Sequence, residues 1–124
     1  MAPRRRLELL REALASLRTG ENDRVAWMVV TEETAQRLGA TGEDFDGLIE
    51  HVRSIEGVEV ALLFREQEGK TKVSFRSNGG ADVNRVARRF GGGGHVKAAG
   101  ALVDAPLQRV VAEVVDAVRE GLHG

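Results

Sequence analysis

The stretch Phe90-Gly91-Gly92-Gly93-Gly94-His95-Val96-Lys97-Ala98-Ala99-Gly100 carries the residue types best suited to holding a negatively charged group. Consecutive glycines leave the backbone bare, and positive φ costs glycine little. Successive N–H groups can therefore turn toward one point and take a phosphate or a carboxylate. A short helical turn starting near His95 would aim further N–H groups and a positive dipole end at that point. His95 is a donor that can become cationic, and Lys97 follows two residues on. The alternative is a flexible linker. Linkers mix glycine with serine, proline or charge, whereas this run is bounded by Phe90 and by Ala98-Ala99-Gly100, which read as packed.

One helix earlier, Ser74, Arg76 and Ser77 close a strand. Period-two alternation puts Ser74 and Arg76 on one face, with Val73 and Phe75 on the other. The planar fork of Arg76 matches a phosphate or carboxylate bidentately. The expectation is that Arg76, the glycine amides and His95 converge on one phosphate. A surface arginine paired with a glutamate is the competing reading of Arg76. The glycine run is not a Walker loop, because Lys97 lacks the preceding glycine and Ala98 stands where Ser or Thr is required. It is not a dinucleotide fingerprint, because a helix and not a strand precedes it. His51, His95 and His123 are far apart, no His/Asp cluster suggests a two-metal centre, and no G-x-S-x-G elbow occurs. The chain is expected to hold a ligand without cleaving it unaided.

At 124 residues the chain is expected to form one domain. A net charge of −1 provides no global basic field, so any anion site must be local. The absence of cysteine removes disulfides, thiolate catalysis and Cys-type zinc, and fits a reducing cytoplasm. No apolar segment reaches membrane-spanning length. Arg4-Arg5-Arg6 reads as the solvated start of a helix, with a phosphate-binding arm as the alternative.

The elements that must position these residues follow from periodicity. Residues 4–18 form a helix with a stripe of Leu7, Leu10, Leu14 and Leu17, with Ala13 beside it. Residues 24–30 form a buried strand, with Trp27 in the core. Thr31 caps a helix that Gly39 ends. Residues 41–57 form one helix, burying Phe45, Leu48, Ile49, Val52 and Ile55. Residues 58–64 and 71–77 make a hairpin. Asp82 caps a helix burying Val83, Val86, Ala87 and Phe90. After the glycine loop, residues 100–104 are a strand, and Pro106 opens an amphipathic helix. The fold class is α/β: a mixed β-sheet of about four to five strands flanked by helices.

Together, Ser74-x-Arg76-Ser77, Asp82-Val83-x-x-Val86-Ala87-x-x-Phe90 and Gly91-Gly92-Gly93-Gly94-His95-x-x-Ala98-Ala99-Gly100 resemble the C-terminal, DHH-associated domain of the DHH phosphoesterases. The branch is that of the oligoribonucleases (nanoRNases) and 3′-phosphoadenosine-5′-phosphate phosphatases, which Asp46-Gly47-Leu48 and Arg53 to Ala61 also resemble. The likeness spans roughly residues 25–120. It implies that residues 1–20 are a linker or N-terminal helix and residues 21–124 a substrate-binding domain. It further implies that the catalytic domain, with its Asp-His-His motif and manganese, is a separate N-terminal partner. No metal or cofactor is assigned to this chain, and alone it is expected to be inactive. The implied substrates are short RNA or nucleotide phosphates. Ser74, Arg76 and Ser77 would supply polar contacts, Gly91, Gly92, Gly93, Gly94 and His95 would clasp phosphate, and Asn84 would touch base or sugar. His95 would lie nearest the scissile bond. Two alternatives stand beside this: a tRNA-binding module like the C-terminal domain of alanyl-tRNA synthetases, and a homodimer formed through the leucine-striped first helix.

Overall fold

The computed structural model describes residues 1–123. Five helices and six strands make one mixed sheet with a helical layer on each face. In chain order the elements are α1 (Arg4–Ala15), β1 (Arg18–Gly20), β2 (Val25–Val30), α2 (Glu32–Leu38), a 3₁₀ turn (Gly42–Phe45), α3 (Leu48–Arg53), β3 (Val60–Gln67), β4 (Lys70–Ser77), α4 (Val83–Arg89), β5 (Gly93–His95), β6 (Ala98–Val103) and α5 (Leu107–His123). The strands lie side by side as β1-β2-β3-β4-β6-β5, and only β2 and β3 run parallel.

Local chemistry explains most boundaries. The Thr31 side chain accepts from the Thr34 N–H at the start of α2, and Gly39 ends that helix at φ +68°. The Asp82 carboxylate caps α4 through the Arg85 N–H. Glu68 and Gly69, both at positive φ, make the two-residue turn between β3 and β4, the backbone twist a tight hairpin prefers. β2 and β3, buried on both faces, are apolar at nearly every position because they hold the centre of the sheet.

Two cores result. On one face Val25, Trp27, Leu62, Phe64, Val73 and Phe75 pack beneath α4 and α5. On the other, Ala26, Met28, Ala61 and Leu63 meet Leu9, Ala13, Leu48, Ile49 and Val52 of the N-terminal helices. Trp27 is a core residue, as its place in an apolar run implied.

Three expectations are corrected. The continuous helix over 41–57 is broken: Asp44 closes a capping box with Thr41, and Gly47 turns the chain at φ +79° before α3. The first helix stops at Ala15 and buries Leu9 and Ala13 fully, one helical turn apart, whereas Leu7 and Leu14 of the supposed stripe stay exposed. Nor is Arg4-Arg5-Arg6 simply solvated. Arg5 Nε and Arg6 Nε donate to the two oxygens of the buried Asp44 carboxylate at 2.7 and 3.0 Å, tying α1 to the 3₁₀ turn.

Candidate nucleotide-binding face

The glycine run does three separate structural jobs. Gly91, at φ +82°, ends α4: its N–H donates to Arg88 O, and the Gly92 N–H donates to Ala87 O. That paired pattern is the usual glycine stop of a helix. Gly92 then passes so close to β6 that a Cβ there would lie 2.0 Å from Gly100 O, and a Cβ on Gly94 would lie 2.6 Å from Ala98 O. At Gly93 a Cβ would meet only Asn84 Oδ1, at 3.4 Å. The chain then leaves as strand β5, turns at Val96-Lys97 and returns as β6.

The expected helical turn at His95 is therefore a β-hairpin, and the amide cradle is corrected with it. Gly91, Gly92 and Gly94 spend their N–H groups inside the chain, the last on Asn84 Oδ1 at 2.9 Å. Glycine carries no periodicity signal, so a strand made of it is invisible to pattern reading.

Register decides which side chains meet. Arg76 pairs with Ala98 on β6, and Ala98 pairs with His95 on β5. Residues paired across strands project to the same side of a sheet. Arg76 and His95 thus share a face, with the small Ala98 between them, two strand spacings or about 10 Å apart. In the neighbouring row Ser74 pairs with Gly100, and Gly100 with Gly93. This face belongs to the second core only over β2 and β3. α1, α2 and α3 stop short of β6 and β5, where His95 and Leu102 are exposed. The result is an uncovered half-face with a floor of Ala98 and Gly100 and a rim of His95, Arg76 and Ser74.

Arg76 is half-committed already. Its Nη1 donates to Phe75 O at 2.9 Å, and its Nε lies 3.5 Å from the Glu50 carboxylate of α3. The glutamate pairing that competed for Arg76 is thus present, as a loose and exposed contact.

Two residues assigned to ligand contact sit elsewhere. Ser77 is fully buried on the opposite sheet face, its hydroxyl directed to Gly79 O and its N–H donating to Lys97 O. Asn84 stands on α4, and its side-chain oxygen anchors Gly94. Lys97 Nζ donates to Gly79 O at 3.0 Å.

The sequence reading missed a groove of about 520 Å³ between the 3₁₀ turn and β4, continuous with this face through Ser74 and Arg76. Phe45, Arg65 and Lys72 line it, with Glu43 and Asp46 on the opposite rim. Lys72 was legible, since it precedes Ser74 and Arg76 at the same period of two.

Among the described residues no three His, Cys, Asp or Glu side chains come close enough to hold a metal ion. No helix among them is long and apolar enough to cross a membrane.

A profile described as the DHHA1 domain matches residues 22–123. The chain belongs to the DHHA1 domain family. The bifunctional oligoribonuclease and PAP phosphatase NrnA of Thermus thermophilus is 41% identical over 96 residues, which cover 77% of this chain and 29% of that protein. This DHHA1 chain thus aligns with under a third of that relative's length. A solved exopolyphosphatase-related protein from Bacteroides fragilis superposes with a TM-score of 0.90 at 26% identity, over 97% of this chain and 36% of that one. The C-Ala domain of Aquifex aeolicus alanyl-tRNA synthetase shares the fold, with a TM-score of 0.61 at 19% identity over 81% of this chain and 91% of that domain.

Proposed function

We propose that this DHHA1 domain is the substrate-binding half of a metal-dependent phosphoesterase acting on short oligoribonucleotides or nucleotide bisphosphates. The observation that carries the reading is the register that puts Arg76 and His95 on one uncovered half of the sheet. The name of the Thermus relative supplies the substrate class.

Arg76 offers a charge-assisted fork to a phosphate, Ser74 a hydroxyl beside it, and His95 a ring donor from the exposed hairpin. The Ala98 and Gly100 floor lets a phosphate or ribose approach the backbone closely. Gly93 extends that floor to the edge strand, while Gly91, Gly92 and Gly94 hold the hairpin in place. The chain's own residues bind and orient the substrate, and His95 lies nearest the bond to be broken. Cleavage falls to a separate N-terminal DHH catalytic domain with its own metal, so the described chain alone is inactive.

A tRNA-binding module is the competing reading, and the shared fold with the C-Ala domain favours it. Titration with a 5′-phosphorylated dinucleotide and with whole tRNA separates the two. Short-RNA binding that Arg76→Ala weakens supports the proposal. Binding of tRNA with no affinity for the dinucleotide rejects it.

A further inference from the structure

The groove beside Arg76 has features that a single phosphate site does not require. Arg65 on β3 and Lys72 on β4 are register partners, so both face the groove. Neither has an ion-pair partner among the described residues. The Arg65 guanidinium lies over the Phe45 ring, Cζ 4.0 Å from its centroid. The ring, only 9% exposed, holds that plane in place from beneath. A guanidinium plane supported in this way is a surface on which a nucleobase stacks.

We propose that this groove is a second nucleotide subsite, seating the neighbouring nucleotide of a short oligonucleotide that has one phosphate at Arg76 and His95. The inference rests on the reading given under Proposed function. Lys72 is four residues from Arg76 along β4, about 13 Å, which suits a nucleotide and exceeds a bare phosphate. The volume of about 520 Å³ suits a nucleotide as well. Lys72 and Arg65 face the phosphate, and the base stacks on Arg65. The opposite rim orients it. Glu43 and Asp46 are acceptors only, so they repel a phosphate and receive the exocyclic amino group of adenine, guanine or cytosine. Uracil offers only its ring N3–H there, flanked by two carbonyl oxygens that the carboxylates repel, so a base carrying an amino group is preferred over uracil at the second position.

The test is an NMR titration of this chain, observing backbone amides, with adenosine 5′-monophosphate, 5′-phosphorylated ApA and 5′-phosphorylated ApU. The dinucleotide ApA is expected to bind about tenfold tighter than the mononucleotide, one stacked base being the difference. Gly42 and Gly47 amides should move only with the dinucleotides, and ApU should bind more weakly than ApA. Arg65→Gln and Lys72→Gln should each erase most of the dinucleotide's advantage and leave mononucleotide affinity within twofold. Lys72 is exposed, so its variant keeps the test open should Arg65→Gln not fold. Equal affinities for mononucleotide and dinucleotide in the unaltered chain overturn the subsite while leaving the Arg76 and His95 reading standing. So does an equal loss for both ligands in Arg65→Gln. A mononucleotide that moves no amide between Gly93 and Gly100 overturns that reading, and the subsite with it.

Discussion

Arg76 and the four glycines each make a claim testable by single substitutions. Replacing Arg76 with Ala removes a charge-assisted contact worth about 1.5–3 kcal/mol, so phosphate affinity should fall roughly ten- to hundredfold with the melting temperature little changed. An unaltered affinity removes Arg76 from the site. The glycines divide sharply. Gly92→Ala forces a methyl group into Gly100 O and Ala101, backbone that cannot move aside, and should destabilise the domain. Gly93→Ala meets only the end of the Asn84 side chain at 3.4 Å and should fold normally. Thermal melts of the two variants decide the matter, and equal melting temperatures would refute the assignment of Gly92 to packing.

The hairpin β5–β6 and the helix α3 control how much of Arg76 a ligand can use. Asn84 ties β5 to α4 through the Gly94 N–H. Asn84→Ala should therefore speed hydrogen exchange at Gly94 more than at the α4 amides. Uniform acceleration would mean that Asn84 supports the helix and not the strand. Across the face, Glu50 of α3 competes with any anion for Arg76, but an exposed pair of this kind is worth only about 0–1 kcal/mol. Glu50→Gln should tighten phosphate binding a few-fold at low salt, with the gain shrinking as salt rises. Weaker binding in that variant would show that Glu50 positions the arginine.

Asp44 governs the molecule as a whole, because it joins α1 to the rest. The Arg5 guanidinium beside it, then the Thr41 N–H and Arg6, hold its carboxyl far below the ordinary 3.8, against the opposing effect of burial. A carboxyl depressed on folding adds stability that is complete above its unfolded value and fades as pH falls toward the folded one. Asp44→Asn should therefore melt lower than the unaltered chain at pH 7, and the gap should close below about pH 4. A gap that stays constant down to pH 2 would show that Asp44 does not act through its charge.

At this scale too, the two halves of the sheet differ. Chain order put helices on both faces, but how far each layer reaches depends on where α3 ends and which strands lie beyond it. That reach leaves His95 exposed and Ser74 and Arg76 half-buried at the edge of α3, and opens the groove at Lys72. Residue 74 and residue 76 were readable as neighbours on one face because alternation along a strand is local. Ser77, one step out of phase with Arg76, falls by that same alternation on the opposite, buried face, so the contact that the family motif implied for it is not available.

The sequence by itself determined the caps at Thr31 and Asp82, the β3–β4 hairpin, the buried central strands, the α/β class and the family motif. Each of these is written in residues within one helical turn or one strand of each other. Only the tertiary structure decided that the glycine run ends α4 and opens an edge strand with the Gly91, Gly92 and Gly94 amides already engaged, that His95 and Arg76 project from the same side, and that Asp44 gathers two arginines of α1. Those outcomes depend on the insertion of β6 between β4 and β5 and on contacts between residues nearly forty positions apart. No local periodicity encodes them, because they are fixed by which strand edges and which charges remain free once the cores have packed.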